Sequence, residues 1–138
     1  MEININCDLG EKSKHHSNKY DPDLLKIVNS ANIACGYHAG DKETMDQVIK
    51  ISKKNGVSIG AHPSFNDPEN FGRERMNLTS EEVRKLIIDQ YEILQKIALD
   101  NGDKVSHIKP HGALNNMACE DMELSTTLAK AIKEIDKD

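Results

Sequence analysis

The chain has 138 residues, is 37% hydrophobic and 30% charged, and carries a formal net charge of −5. Those values fit a globular protein of one-domain size, and its interspersed acidic and basic residues leave no basic footprint for a nucleic acid. The longest apolar runs are a few residues, far short of the ~20 that a membrane-spanning helix needs, and the N-terminal MEININCDLG lacks the basic and apolar regions of a secretory signal.

With two Phe, three Tyr and no Trp, the core must be built from aliphatic side chains. Cys7, Cys35 and Cys119 are an odd count without CxxC spacing, which points to reduced thiols in a cytoplasmic protein rather than to disulfides or a zinc knuckle.

Four strand-then-helix units follow one another. The first strand is expected over Ile3 to Asp8, where Ile3, Ile5 and Cys7 alternate with Asn4, Asn6 and Asp8. A polar loop with His15 and His16 on the surface leads to a helix with Asp21 as N-cap, Pro22 at its first position and Leu24, Leu25 and Val28 inward. The second strand is expected over Ala31 to Gly36. Its helix runs from Lys42 to Asn55, with Met45, Val48, Ile49 and Ser52 on one face and Gly56 as the stop.

The third strand is expected over Val57 to Ala61, before a long loop from His62 to Asn77. The helix after it opens with the capping box Thr79-Ser80-Glu81-Glu82 and the staple pair Leu78 and Val83. Val83, Leu86, Ile87, Leu94 and Ile97 repeat at helical spacing. The fourth strand spans Val105 to Lys109, and a last helix Asp121 to Ile135 turns Leu124, Leu128 and Ile132 inward. Strands alternating with amphipathic helices predict an α/β fold with a parallel sheet, and residues 1–138 read as a single domain.

The polar residues fall at one end of these strands. Asp8, His38, His62 and His111 all lie at or just past a C-terminal strand end, which in a (β/α) barrel is the end where the active site forms. Strand parity puts Asn6 with Asp8, Asn32 with Ala34 and Gly36, Gly60 with His62, and His107 with Lys109 on one face. Such a ring suits hydrolysis of an amide-like bond. Asp8 or Glu11 would act as base or orient water, and His38, His62 and His111 would move protons or bind a divalent metal.

Lys109 would stabilise an oxyanion or a phosphoryl oxygen. Asp8, His38 and His62 form one credible ligand set for zinc, with a metal-free hydrogen-bonded network as the alternative. Arg73 and Arg75 have the chemistry to grip a carboxylate. No G-x-x-x-x-G-K-[ST] run is present, so no P-loop supplies a nucleotide site.

The runs Asn6-Cys7-Asp8-Leu9-Gly10-Glu11, Ser30 to Asp41 (SANIACGYHAGD), Gly60-Ala61-His62-Pro63, Phe71-Gly72-Arg73 and Lys109 to Leu114 (KPHGAL) resemble, in order and spacing, the signatures of the LamB/YcsF family. The resemblance implies an irregular (β/α) barrel of the glycoside hydrolase/deacetylase type. It also implies the work of a 5-oxoprolinase A-subunit: with partner subunits B and C, opening 5-oxo-L-proline to L-glutamate at the expense of ATP.

Matched by position, the implied site residues are Asp8, Glu11, His38, Asp41, His62, Lys109 and His111; Asn6, Asn32, Asp41 and Arg73 are expected to contact substrate. The sequence departs from the family pattern at Lys12, Ser64 and Asn115. Four βα units do not close a barrel, so further strands are expected from a longer chain, a separate chain or a second copy. A metal-dependent, deacetylase-like amide hydrolase and a non-catalytic half-barrel are the competing expectations.

Overall fold

A computed structural model describes residues 3–136. Four strands, β1 (Asn6–Leu9), β2 (Ser30–Ala34), β3 (Ser58–His62) and β4 (Val105–Ile108), form one parallel sheet in the order β1-β2-β3-β4. Chain order equals spatial order, so every crossover steps the same way, as in a (β/α) barrel; a doubly wound sheet would reverse its order. The connecting helices are α1 (Asp21–Leu24), α2 (Lys42–Asn55) and α3 (Ser80–Asp100), and α4 (Gly112–Glu120) and α5 (Met122–Ile135) follow β4.

The two faces of the sheet differ because side chains alternate along each strand. Leu9, Ala31, Ile33, Ile59 and Ala61 point to the helix side, where Met45, Val48 and Ile49 of α2 and Leu94, Ile97 and Ala98 of α3 bury them. A second apolar cluster joins α3 to α4 and α5 through Leu86, Ile87, Leu114 and Leu128. The opposite face, which would line a closed barrel, is polar and arranged in rows. Ser30 Oγ donates to Asn4 Oδ1 (2.9 Å), and the Ser58 and Ser30 hydroxyls pair at 2.9 Å. One row further toward the C-terminal ends, Asn32 Nδ2 donates to Asn6 Oδ1 and Asp8 Oδ1, each at 2.9 Å.

Local signals set the long helices. Thr79 and Glu82 complete the reciprocal capping box of α3, Asp41 caps α2 by accepting from Thr44 N at 2.7 Å, and Gly56 ends α2 at a left-handed φ of 69°. Asp121 caps α5, accepting from Glu123 N and Leu124 N.

Several expectations need correction. Strand β1 starts at Asn6 rather than Ile3, and Ile3 and Ile5 are 72% and 51% exposed: register with β2 begins only at Asn6–Ser30, so the earlier residues have no strand beside them to pack with. β2 ends at Ala34 because Gly36 turns back, its N–H bonded to Ala39 O. β3 and β4 are each displaced or shortened by a residue, so His62 closes β3 itself. Asp21 is not an N-cap; its buried carboxylate accepts from Gly10 N at 2.8 Å and ties the end of β1 to α1. Helix α4 is an element that the sequence pattern does not predict.

Candidate active site

Four titratable side chains converge beyond the C-terminal ends of the sheet. Among the described residues, Glu11, His38, His62 and His111 each place one ligating atom within 4.8 Å of all the others. Glu11 arrives on the loop after β1, His38 on the loop after β2, His62 as the last residue of β3, and His111 at the N-terminal boundary of α4. The three imidazoles are buried, and Glu11 is partly open to solvent.

The hydrogen bonds fix the imidazole tautomers. His62 Nδ1 lies 2.6 Å from Lys109 O, and His111 Nε2 lies 2.8 Å from Phe71 O. A carbonyl only accepts, so both of those nitrogens carry the proton. The nitrogens that remain, His62 Nε2 and His111 Nδ1, face each other at 3.0 Å. Were both rings neutral, two lone pairs would meet there. One positive charge therefore belongs between them, whether a proton shared by the pair or a bound cation.

Carboxylates surround that point. Glu11 Oε1 stands 3.3 Å from His111 Nδ1 and 3.7 Å from His62 Nε2, and it accepts from His38 Nε2 at 3.0 Å. Asp8 Oδ2 lies 3.4 Å from His62 Nε2. Burial raises the Glu11 carboxyl, but the bond from His38 and the three imidazoles outweigh it and hold Glu11 below its ordinary range. Burial likewise opposes ionisation of Asp8, yet His62, Lys109 and Asn32 together hold it well below the usual carboxylate value. Burial and the neighbouring His38 push His111 down to about 4, and burial lowers His38.

Beside this group, Lys109 Nζ grips both oxygens of Asp8 at 2.7 and 2.8 Å. Asn32, also bonded to Asp8, is braced from the far side by His107, whose Nε2 lies 3.0 Å from Asn32 Oδ1. That brace crosses β3 at Gly60, where a Cβ would stand 2.2 Å from His107 Nε2.

A second device sits in the loop before α3. Phe71 and Gly72 both take left-handed backbone, φ 57° and 65°, unusual for the phenylalanine. The turn points Phe71 O at His111 and Gly72 O at the first turn of α4, where Ala113 N donates to it at 3.0 Å. A side chain at Gly72 would meet Ser64 Oγ at 2.0 Å and His38 Cβ at 2.9 Å. The Phe71 ring meets His38 and His111 edge-on, and His16 stacks on it at 4.1 Å between centroids.

The residues singled out from the sequence are thus distributed unevenly. Glu11, His38, His62 and His111 form one group, with Asp8 and Lys109 adjoining it. Asn6 and Asn32 lie on the polar sheet face next to Asp8. Asp41 is taken up in capping α2, while Arg73 is exposed with its guanidinium over Phe71. His15 and His16 are exposed, as expected, though His16 covers Phe71.

Residues assigned no role from the sequence also support the site: His107, Phe71, and Gln90, which is fully buried on α3 and bonds both Ser64 N and Ser64 O. His107 was legible by parity with Lys109 opposite the gap at Gly60. Gln90 interrupts the apolar stripe of α3, and that interruption is its signal.

A singly wound parallel sheet with titratable groups gathered at its C-terminal ends has the arrangement of part of a (β/α) barrel. The chain belongs to the LamB/YcsF family, which it matches over residues 3–138. The 5-oxoprolinase A-subunit of Natranaerobius thermophilus is 46% identical over 134 residues, 97% of this chain and 52% of that protein. Its counterpart in Azoarcus sp., also a 5-oxoprolinase A-subunit, is 44% identical over 138 residues, 100% of this chain and 54% of that protein. The crystal structure of the lactam utilization protein from Thermus thermophilus superposes with a TM-score of 0.93 at 37% identity, over 99% of this chain and 55% of that one. The chain spans about half the length of the relatives it matches.

Proposed function

We propose that this chain carries the active-site half of the A-subunit of an ATP-dependent 5-oxoprolinase, which opens the lactam of 5-oxo-L-proline to L-glutamate together with subunits B and C in the cytoplasm. The single observation that carries the reading is the joining of Glu11 and the buried His38, His62 and His111 to the Asp8–Lys109 pair at the mouth of the sheet. Membership in a family with relatives named as 5-oxoprolinase A-subunits, and the likeness to a lactam utilization protein, support it.

A lactam is an unreactive amide, so the reaction has to make its carbonyl a better electrophile and its ring nitrogen a better leaving group. Transfer of the terminal phosphoryl group of ATP to the lactam oxygen does the first. Water then adds to the ring carbon, the carbon–nitrogen bond breaks with the nitrogen taking up a proton, and a second water displaces phosphate from the acyl phosphate so formed, leaving the carboxylate. In this site Lys109 faces the developing negative charge. Asp8, held ionised, is a poor proton acceptor; it fixes Lys109 and orients the water. Glu11, His38, His62 and His111 form the charged group beside it that activates that water. Asn6 and Asn32 line the floor, and Arg73 stands at the rim for the substrate carboxylate.

The test is glutamate release from 5-oxoproline and ATP by this chain mixed with subunits B and C. Glutamate should form only with all components. Lys109→Ala should lower the rate by at least ~100-fold, the usual scale for losing one oxyanion donor, without loss of far-UV circular dichroism. Near-normal turnover by that variant would sink the assignment.

A further inference from the structure

We infer that Glu11, His62 and His111 form a binding site for one divalent transition-metal ion, of which zinc suits the ligands best. The inference rests on the geometry of these side chains; it deepens the proposed hydrolase activity by supplying the means of water activation.

Three observations converge. The first is the pair of opposed lone pairs. The backbone carbonyls of Lys109 and Phe71 hold the far nitrogens of His62 and His111 as donors, and so leave the near nitrogens to take up a shared proton or a metal ion. Histidines that ligate metals are habitually oriented in this way, through a hydrogen bond from the other ring nitrogen to a carbonyl or carboxylate. The second is spacing. His62 Nε2, His111 Nδ1 and Glu11 Oε1 form a triangle with sides of 3.0, 3.3 and 3.7 Å. The point equidistant from its corners lies about 2 Å from each, the length of a zinc–nitrogen or zinc–oxygen bond.

The third is the surrounding shell. His38 Nε2 donates to the same Glu11 oxygen and orients the carboxylate. His38 is itself fully buried and stacked on His111, with ring centroids 3.9 Å apart. The His62 and His111 side chains are 1% and 7% exposed, while Glu11 at 22% leaves a way in for an ion. Two imidazoles and one carboxylate favour a first-row transition ion over magnesium, which prefers oxygen ligands and retained water. The expectation of Asp8, His38 and His62 as ligands is therefore revised. Asp8 is committed to Lys109 and Asn32 next to the site, and His38 acts through Glu11.

The test is titration of the chelator-stripped chain with Co²⁺, followed by its visible d–d absorption, and with Zn²⁺ by calorimetry. One equivalent of each should bind, and Zn²⁺ should displace Co²⁺. Glu11→Gln and His111→Ala should each abolish the one-equivalent signal. His38→Gln should retain the stoichiometry and weaken affinity by about 10–100-fold, as expected of an orienting partner. His15→Ala, at an exposed histidine outside the site, should change nothing.

Circular dichroism of each variant separates loss of ligand from loss of fold, and the wild-type stoichiometry needs no variant. Absence of saturable binding by the wild-type chain, or binding unaltered in folded Glu11→Gln, overturns the inference. Saturable binding with a failed glutamate assay would leave the metal site standing and remove the proposed activity; the reverse result would do the opposite.

Discussion

The contact between Gly60 and His107 gives a sharp test of how the floor of the site is held. Gly60 does not require left-handed backbone, so alanine is conformationally allowed there, but its methyl would stand 2.2 Å from His107 Nε2 and 2.3 Å from Cδ2. The imidazole has to swing off Asn32. That forfeits one hydrogen bond, about 1 kcal/mol, and forces a rotamer change costing roughly 0.5–1.5 kcal/mol. Against this, replacing a strand glycine by alanine returns about 0.5–1 kcal/mol of chain entropy.

Gly60→Ala should therefore destabilise the wild-type chain by about 1 kcal/mol, yet stabilise a His107→Ala background by about 0.5–1 kcal/mol, where no ring is left to collide with. Urea unfolding of the four proteins of this cycle, followed by far-UV circular dichroism because the chain has no Trp, should give a coupling of about 1.5–2 kcal/mol. A coupling under about 0.5 kcal/mol, the range in which independent sites add, would refute the claim that Gly60 exists to let His107 reach Asn32.

Two further outcomes follow from buried groups. Ser64 Oγ is buried without a hydrogen-bond partner, so Ser64→Ala should stabilise by about 1 kcal/mol and raise the thermal midpoint by about 3–5 °C; a lowered midpoint would show that the hydroxyl is in fact used. The metal-free chain should lose stability on acidification in two stages. His111, pushed down to about 4 from an ordinary 6.5, is protonated in the unfolded chain first, so stability falls between pH 6.5 and 4 by up to about 3 kcal/mol. Asp8, held low, contributes stability that is complete above its ordinary 3.8 and is lost only below that pH. Urea midpoints in chelator that stay flat from pH 7 to 4.5, or that do not flatten in His111→Gln, would contradict this.

What the sequence disclosed was whatever depends on neighbours in the chain. The capping box at Thr79, the stop at Gly56 and the apolar stripe of α3 are local, and each is found where expected. The strand ends carrying Asp8, His62 and Lys109 were legible because parity and loop position are also local. Pairing between strands was not: Ile3 and Ile5 alternate properly but lie ahead of the point where β1 meets β2. Helix α4 was hidden by Gly112 and the weak helix formers Asn115 and Asn116, although Ala113, Leu114, Met117 and Ala118 show helical spacing and pack against α5.

The grouping of Glu11 rather than Asp8 with the three histidines depends on how the chain turns at Gly10, which the Asp21 carboxylate dictates from eleven residues away. The left-handed Phe71 has no sequence signature, because phenylalanine disfavours that conformation.

The alternation of the strands has an evolutionary side. Leu9, Ile33, Ile59 and Ala61 hold the sheet to its helices, while Asp8, Asn32, His62 and His107 face the other way and contribute little apolar burial. Substitution can therefore explore new substrates on the inner face while the packed face keeps the fold, and each strand offers that freedom at every second residue. An inserted or deleted residue within a strand would exchange the two sets at once, driving Asp8 toward the helices and Leu9 into the site. The lineage of such a protein should accept change in its strands by replacement and confine changes of length to the loops.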